Sequence, residues 1–170
     1  MEKKNVTVSA IVAAIVLIGD QLSKHWAETW LRTNGDYKIW DGVLHLRYVE
    51  NRGAAFGMMQ GGKWFFLAIT GIACAAMLYF LIKERKRLHF MMTFSLALLL
   101  SGAIGNLIDR VALGYVRDMI YVALIDFAVF NVADMAVTVG CCLLVLDLLF
   151  FKGKKYMEMM DKKPQTGENS

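Results

Sequence analysis

Residues 90–110 read FMMTFSLALLLSGAIGNLIDR. From 90 to 108 the run is almost wholly apolar. Its length matches the roughly 20 residues that a helix needs to cross the hydrocarbon core of a bilayer. Its far end carries Asn106, Asp109 and Arg110. A carboxylate at the centre of a membrane helix costs ~2.5–3.5 kcal/mol on insertion scales. A chain that keeps such residues there uses them, and the question is for what.

Three further spans of similar length flank this one, at about 6–26, 64–82 and 130–151. Hydrophobic residues make up 57% of the 170 positions, and the mean hydropathy is +0.45. These values place the chain among integral membrane proteins. The expected fold is an all-α membrane bundle of four transmembrane helices. A small extracytoplasmic β-sheet and an interfacial loop or helix complete it. Residues 1–156 form a single membrane domain in this reading, and 157–170 a polar, disordered cytoplasmic tail with the one proline, Pro164. The first span is uncleaved, because its apolar stretch runs into Asp20, Lys24 and His25 without a small-x-small cleavage site.

The net charge of +4 does not signal nucleic acid, because the basic residues cluster between the spans. Lys3 and Lys4 precede the first span. Lys83, Arg85, Lys86 and Arg87 fill the connection between the second and third. Lys152, Lys154 and Lys155 follow the fourth. All three clusters fall on one side, which is therefore cytoplasmic with both termini. The other two connections, about 27–63 and 109–129, face outward. Trp26, Trp30, Trp40 and Trp64 lie at or in the first of these, as indole rings at the headgroup level would. Within it, Leu44, Leu46 and Tyr48 alternate with His45, Arg47 and Val49, and Asp41-Gly42 marks a turn after 37–40. That pattern predicts a small hairpin. Residues 111–129 are largely apolar and are expected to lie along the interface or fold back over the bundle. Cys74, Cys141 and Cys142 fall inside spans, the three histidines are scattered, and no metal or cofactor is expected.

With this topology Asp20, Asn106, Asp109, Arg110, Asp118, Asn131 and Asp134 converge at the outer leaflet from three spans and one loop. Two aspartates held close cannot both ionise easily, so one keeps a proton. The neutral acid can protonate a carbonyl, and the ionised partner can take a proton from an intervening water. That is metal-free aspartic-peptidase chemistry. Asp134, about one turn into the fourth span, and Asp118, in the apolar loop, are the preferred pair. Asp109 is followed by Arg110 and better suits an ion pair or a structural hydrogen bond. Asp126 is the rival loop carboxylate, and Asp147, near the cytoplasmic end, is structural or interfacial. Asp20 and Lys24, four positions apart, share a helix face in the favourable order for an ion pair. Ser23 and Ser101 find no catalytic base. A cation-coupled transporter and a scaffold using polar glue are the competing classes. The first sits poorly with acids gathered at one side and with no visible internal repeat.

Five segments in order give a family resemblance: DQLSK at 20–24, ENRGAAFG at 50–57, GNLIDR at 105–110, Asp118, and FNVAD at 130–134. The chain resembles lipoprotein signal peptidase, the type II signal peptidase of bacteria. The resemblance implies an aspartic endopeptidase of the bacterial inner membrane. It would act on diacylglyceryl-modified prolipoproteins and cut just before the lipidated cysteine. It makes Asp118 and Asp134 catalytic. Asn106, Asp109, Arg110 and Asn131 become supporting residues. Asp20, Lys24, Asn51, Gly53, Ala54, Ala55 and Phe56 occupy further signature positions. One departure stands out. Where the family often has V-x-D-F, this chain reads Val116-Arg117-Asp118-Met119. The expected partners are lipid-modified substrates and membrane lipid, with the enzyme itself a monomer.

Overall fold

The computed structural model describes residues 2–53, 62–84 and 87–151, with side chains from Val6 onward. Ala54, Ala55 and Phe56, the basic residues Arg85, Lys86, Lys152, Lys154 and Lys155, and the tail 157–170 lie outside these described residues.

Four long helices carry the apolar spans: α1 (Glu2–Trp26), α2 (Lys63–Glu84), α3 (Phe90–Ala112) and α4 (Val132–Phe150). All four are long and apolar enough to cross a membrane. The first runs on past the expected end near 26. It widens into a π-helical turn at Ala27–Leu31 and closes with one more turn to Asn34. Nothing in AETWLRTN breaks a helix. The break comes at Gly35, whose φ of 81° suits a residue without a side chain.

The central helix is α3, which packs against α4, α1 and α2. Its role shows in burial: 56% of its apolar window is enclosed by the protein, against none of that of α2. The latter keeps Trp64, Ile69, Ile72, Tyr79 and Ile82 facing outward. Three glycines permit the close approach, and a Cβ on the first, Gly102, would run into the Ala133 carbonyl oxygen of α4. A Cβ on Gly105 would lie 2.6 Å from the Asp20 carboxylate, and one on Gly140 would lie 2.9 Å from the Ser95 carbonyl oxygen. Larger residues would force α1 and α4 away from α3. At the basic-connection end, Leu88, Met92 and Leu96 form a core with partly buried residues including Phe80, Leu144 and Leu148.

The expected hairpin is present: β1 (Tyr37–Trp40) pairs antiparallel with β2 (Leu44–Asn51), and Gly42 takes a φ of 71° in the turn. The second connection departs from expectation. Residues 109–129 do not form an interfacial loop or helix alone. They contain a strand, β3 (Val116–Val122), which pairs antiparallel with β2 and completes a three-stranded sheet in the order β1-β2-β3. The first four residues of this strand are all buried, so alternation, the usual sign of a half-buried strand, is missing. Met119 packs with Ala27 and Leu31. The prolonged first helix is thus the seat on which the sheet rests.

Candidate active site

Five elements, α1, β2, α3, β3 and α4, meet at one end of the bundle. Asn131 is the N-cap of α4. Its side-chain oxygen accepts from the Asp134 N–H at 3.0 Å, and Asp134 Oδ2 accepts in return from the Asn131 N–H at 3.1 Å. This capping box satisfies donors that a helix start leaves open. A third, the Ala133 N–H, donates to Asp20 Oδ1 at 2.9 Å. The first turn of α4 is therefore held by two acidic residues, one its own and one from α1, at the end where a helix favours negative charge. The glycine at 105 leaves the room in which Asp20 sits.

Asp20 is itself fully buried and paired with Lys24 Nζ at 2.8 Å. Lys24 is also fully buried. Its ammonium donates to Asn106 Oδ1 at 2.8 Å and lies 3.7 Å from Asp109. Asn106 passes the connection on, donating to Asp134 Oδ1 at 2.8 Å. Asn131 uses both amide protons, on Asn106 Oδ1 at 3.1 Å and on Asp118 Oδ1 at 2.6 Å. Asn51, the last residue of β2, donates to Asp118 Oδ2 at 3.0 Å. Every polar atom in this chain of contacts has a partner, as a buried network requires.

Asp118 and Asp134 thus come to one place from β3 and α4, held by amides rather than by direct ion pairs. Burial pushes the Asp118 carboxyl up to about 7, and the nearby negative charge of Asp134 pushes in the same direction. The hydrogen bonds from Asn51 and Asn131 and the charge of Lys24 oppose this without cancelling it. Both aspartates open on a cavity of about 550 Å³, also lined by Asn51, Gly53, Asn106 and Arg110. Its opposite wall is apolar and includes Phe127, Phe130, Met135 and Val139. Arg110 stands at this cavity with its guanidinium 5.2 Å from the Phe66 ring centre.

Asp109 makes the ion pair and the structural hydrogen bond that the sequence suggested, but with another residue. Its ion partner is not the adjacent Arg110 but Arg117. Arg117 Nη2 meets Asp109 Oδ1 at 2.8 Å, and Nε and the backbone N–H meet Oδ2 at 3.2 and 2.9 Å. Three residues of the site region were not singled out from sequence: Arg117, Gln21 and Glu28. Gln21 lies within DQLSK and binds Asp20, the Gly105 carbonyl and Arg117. The signal that could have found Arg117 was its position. A full charge next to Asp118 in an apolar strand needs a buried counterion. Asp126 is exposed and bonds Tyr121 at 2.6 Å, away from the pair. Asp147 lies at the other end of α4, buried against His89 Nε2 at 2.8 Å. Among the described residues no cluster of three or more His, Cys, Asp or Glu is arranged to hold a metal.

Two carboxylates that open on one apolar cavity, buried on amide donors in a four-helix membrane bundle, are an arrangement suited to metal-free aspartic-peptidase chemistry. A family model described as signal peptidase (SPase) II matches residues 12–150. The chain is 47% identical over 138 residues to the lipoprotein signal peptidase of Streptococcus thermophilus (strain CNRZ 1066), covering 81% of this chain and 90% of that one. It is 43% identical over 145 residues to that of Clostridioides difficile (strain 630), covering 85% and 97%. A solved bacterial membrane enzyme superposes with a TM-score of 0.77 at 33% identity over 95% of each chain. The chain belongs to the signal peptidase II family.

Proposed function

We propose that Asp118 and Asp134 are the catalytic pair with which this peptidase removes the signal peptide from lipid-modified prolipoproteins. As a signal peptidase II, the chain is an aspartic peptidase of prolipoproteins that cuts before the modified cysteine. The observation carrying the residue assignment is the pair's setting. Both carboxylates reach the same apolar-walled cavity, and among the described residues no cation is in direct contact with either.

The chemistry follows from one shared proton. A water between the carboxylates gives a proton to the ionised one while its oxygen bonds to the scissile carbonyl carbon. The protonated carboxyl gives its proton to the carbonyl oxygen, producing a neutral diol. In the second step the diol returns a proton to one carboxylate, the other protonates the cysteine nitrogen, and the C–N bond breaks. The pair ends with the one proton it started with and titrates as a unit. Asn131 and Asn51 hold Asp118, and Asn106 holds Asp134, so the pair needs little reorganisation. Arg110 and Gly53, at the cavity edge, are placed to meet the substrate backbone or headgroup.

We further infer that the site faces the outer leaflet, that both termini are cytoplasmic, and that diacylglyceryl chains enter along the apolar wall. Support comes from Lys83 and Arg87, which lie at the opposite end from the sheet, and from the outward tryptophans. Trp26 and Trp30 stack at 5.7 Å near the sheet, and Trp40 and Trp64 are 68% and 79% exposed, as rings seated among headgroups would be.

The test is cleavage of a synthetic lipobox peptide, with and without diacylglycerol on its cysteine, by the purified chain and by Asp118→Asn and Asp134→Asn. Cleavage of the lipid-modified peptide by the parent alone is expected. Wild-type turnover by either variant would sink the assignment of the pair.

A further inference from the structure

We propose that Arg117 is a positioning residue for the reaction: its guanidinium clamps β3 to α1 and α3 and so sets where Asp118 meets Asp134. The proposal rests on the assignment of Asp118 above and concerns a residue that does not touch substrate.

Neighbouring residues of a strand point to opposite faces. Asp118 points to the cavity, and Arg117 points the other way, beside Met119, toward the prolonged end of the first helix. There it is 9% exposed and engages three acceptors outside the sheet. Nε and Nη2 grip the two oxygens of Asp109 on α3. Nη1 reaches Glu28 Oε2 in the π-helical turn at 2.9 Å. Nη2 also reaches Gln21 Oε1 on α1 at 3.3 Å. Opposite it on β2, Glu50 is occupied with Arg32 and Arg52 and takes no part. The planar fork can hold these acceptors together, whereas a lysine offers a single point charge. These contacts hold the Arg117 side well above its ordinary pKa, with Asp109 the main cause, so the clamp is charged at every working pH.

The strand needs such an anchor. The β2–β3 ladder is irregular between Leu46 and Val49, and Val49 is the residue opposite Asp118. Register is therefore interrupted beside the catalytic position. A slip of one residue would turn Asp118 away from the cavity. Past Asp118, the N–H groups of Met119 and Ile120 donate to the Phe130 carbonyl. Before it, the Arg117 backbone N–H donates to Asp109, and the guanidinium locks that same carboxylate. Asp118 lies between these two fixed points.

The experiment compares the full chain with Arg117→Gln, Arg117→Lys and Glu28→Gln in phospholipid-containing micelles, on the diacylglyceryl lipobox peptide across pH 5–9, with Asp118→Asn as control. Arg117→Gln should lower kcat by ~10–100-fold, the range that a displacement of about 1 Å costs. KM should stay within about twofold, and the basic limb of the pH profile should move, because Asp118 no longer sits at its native distance from Asp134. The lysine variant should recover part of kcat. Glu28→Gln, which leaves the Asp109 grip intact, should lower kcat by a smaller factor with the same movement of the limb. A folded Arg117→Gln with parental kcat and pH profile, or one that changes KM alone, would overturn the proposal. If Arg117→Gln does not fold, parental kinetics in Glu28→Gln overturn it instead. Loss of cleavage in Asp118→Asn beside normal Arg117 variants removes the clamp and leaves the catalytic pair standing. Retained cleavage in Asp118→Asn removes the pair first.

Discussion

Two pairs of aspartates share this end of the bundle and are treated in opposite ways. Asp20 and Asp109 are fully buried and lie against cations, Lys24 for the first and Arg117 with Lys24 for the second. Asp118 and Asp134 receive amides from Asn51, Asn106 and Asn131 and a backbone N–H, but no cation among the described residues touches them. A buried carboxylate on a cation has its charge balanced and its position held. One on neutral donors, next to another carboxylate, can still exchange a proton. On the assignment proposed above, the difference separates aspartates that build the site from aspartates that turn over. It also explains why Lys24 stops one residue short of the pair: its hydrogen bond goes to Asn106, which relays order to Asp134 without neutralising it.

The comparison breaks first at the uncompensated pair. Asp118→Asn and Asp134→Asn are each expected to lower kcat by ~10³-fold or more, at the upper part of what a positioned acid–base group supplies. Both should keep the fold, since asparagine has nearly the same size and its amide oxygen still accepts one of the two hydrogen bonds that each carboxylate takes. Circular dichroism and thermal unfolding in detergent check the fold, and single-turnover cleavage checks the rate. Asp109→Asn should invert the pattern. It leaves the buried guanidinium of Arg117 short of its main counterion, a class of change that costs ~3–5 kcal/mol. Its unfolding temperature should drop clearly, while the fraction that stays folded should retain more activity than Asp118→Asn does. Equal stability in Asp109→Asn and the parent would deny Asp109 its structural role.

Much of this arrangement was legible in the sequence because the membrane makes polar residues conspicuous. The four spans, the hairpin at Asp41-Gly42 and the family motifs all stand out against an apolar background. Asp134 stood out by its position about one turn into the fourth span, whereas the capping box it forms with Asn131 emerged only in the structure. Two things were hidden. The strand at Val116–Val122 is buried on both faces at its start and shows no alternation, so it read as an apolar loop. The partner of Asp109 was hidden because an ion pair reaching from a helix to the following strand leaves no periodic signature. Adjacent Arg110 looked like the partner, yet its side chain turns to the cavity and the Phe66 ring.

The acidity of Asp118 sharpens the contrast in a second way. Its carboxyl is raised to about 7 by burial and then by Asp134. A carboxyl raised on folding binds more protons in the folded than in the unfolded chain between its ordinary value and about 7. Folding stability therefore falls as pH rises through that window and levels off above it. The parent should melt at a lower temperature at pH 8 than at pH 5, and Asp118→Asn should flatten that slope. Activity should fall along a basic limb that begins near pH 7, where the shared proton leaves the pair, by up to about tenfold per pH unit. A rate independent of pH from 6 to 9 would mean that no proton on the pair is used.

The smallest effect belongs to the third kind of aspartate. Asp126 is exposed, adopts a φ of 46° in the turn after β3, and accepts from the Tyr121 hydroxyl at 2.6 Å. It has neither the burial that raises Asp118 nor the cation that fixes Asp109. Asp126→Asn should therefore cleave within about twofold of the parent, because asparagine tolerates the left-handed conformation and can still accept from Tyr121. The residues just after it line the cavity, however, so backbone and carboxylate can be told apart. Asp126→Ala keeps neither the hydrogen bond nor the ease of that φ, and should raise KM more than it lowers kcat through displacement of Phe127. If Asp126→Asn abolished cleavage with the fold intact, proton exchange would have to be assigned to an exposed carboxylate. Burial on neutral amides would then no longer mark the reacting pair.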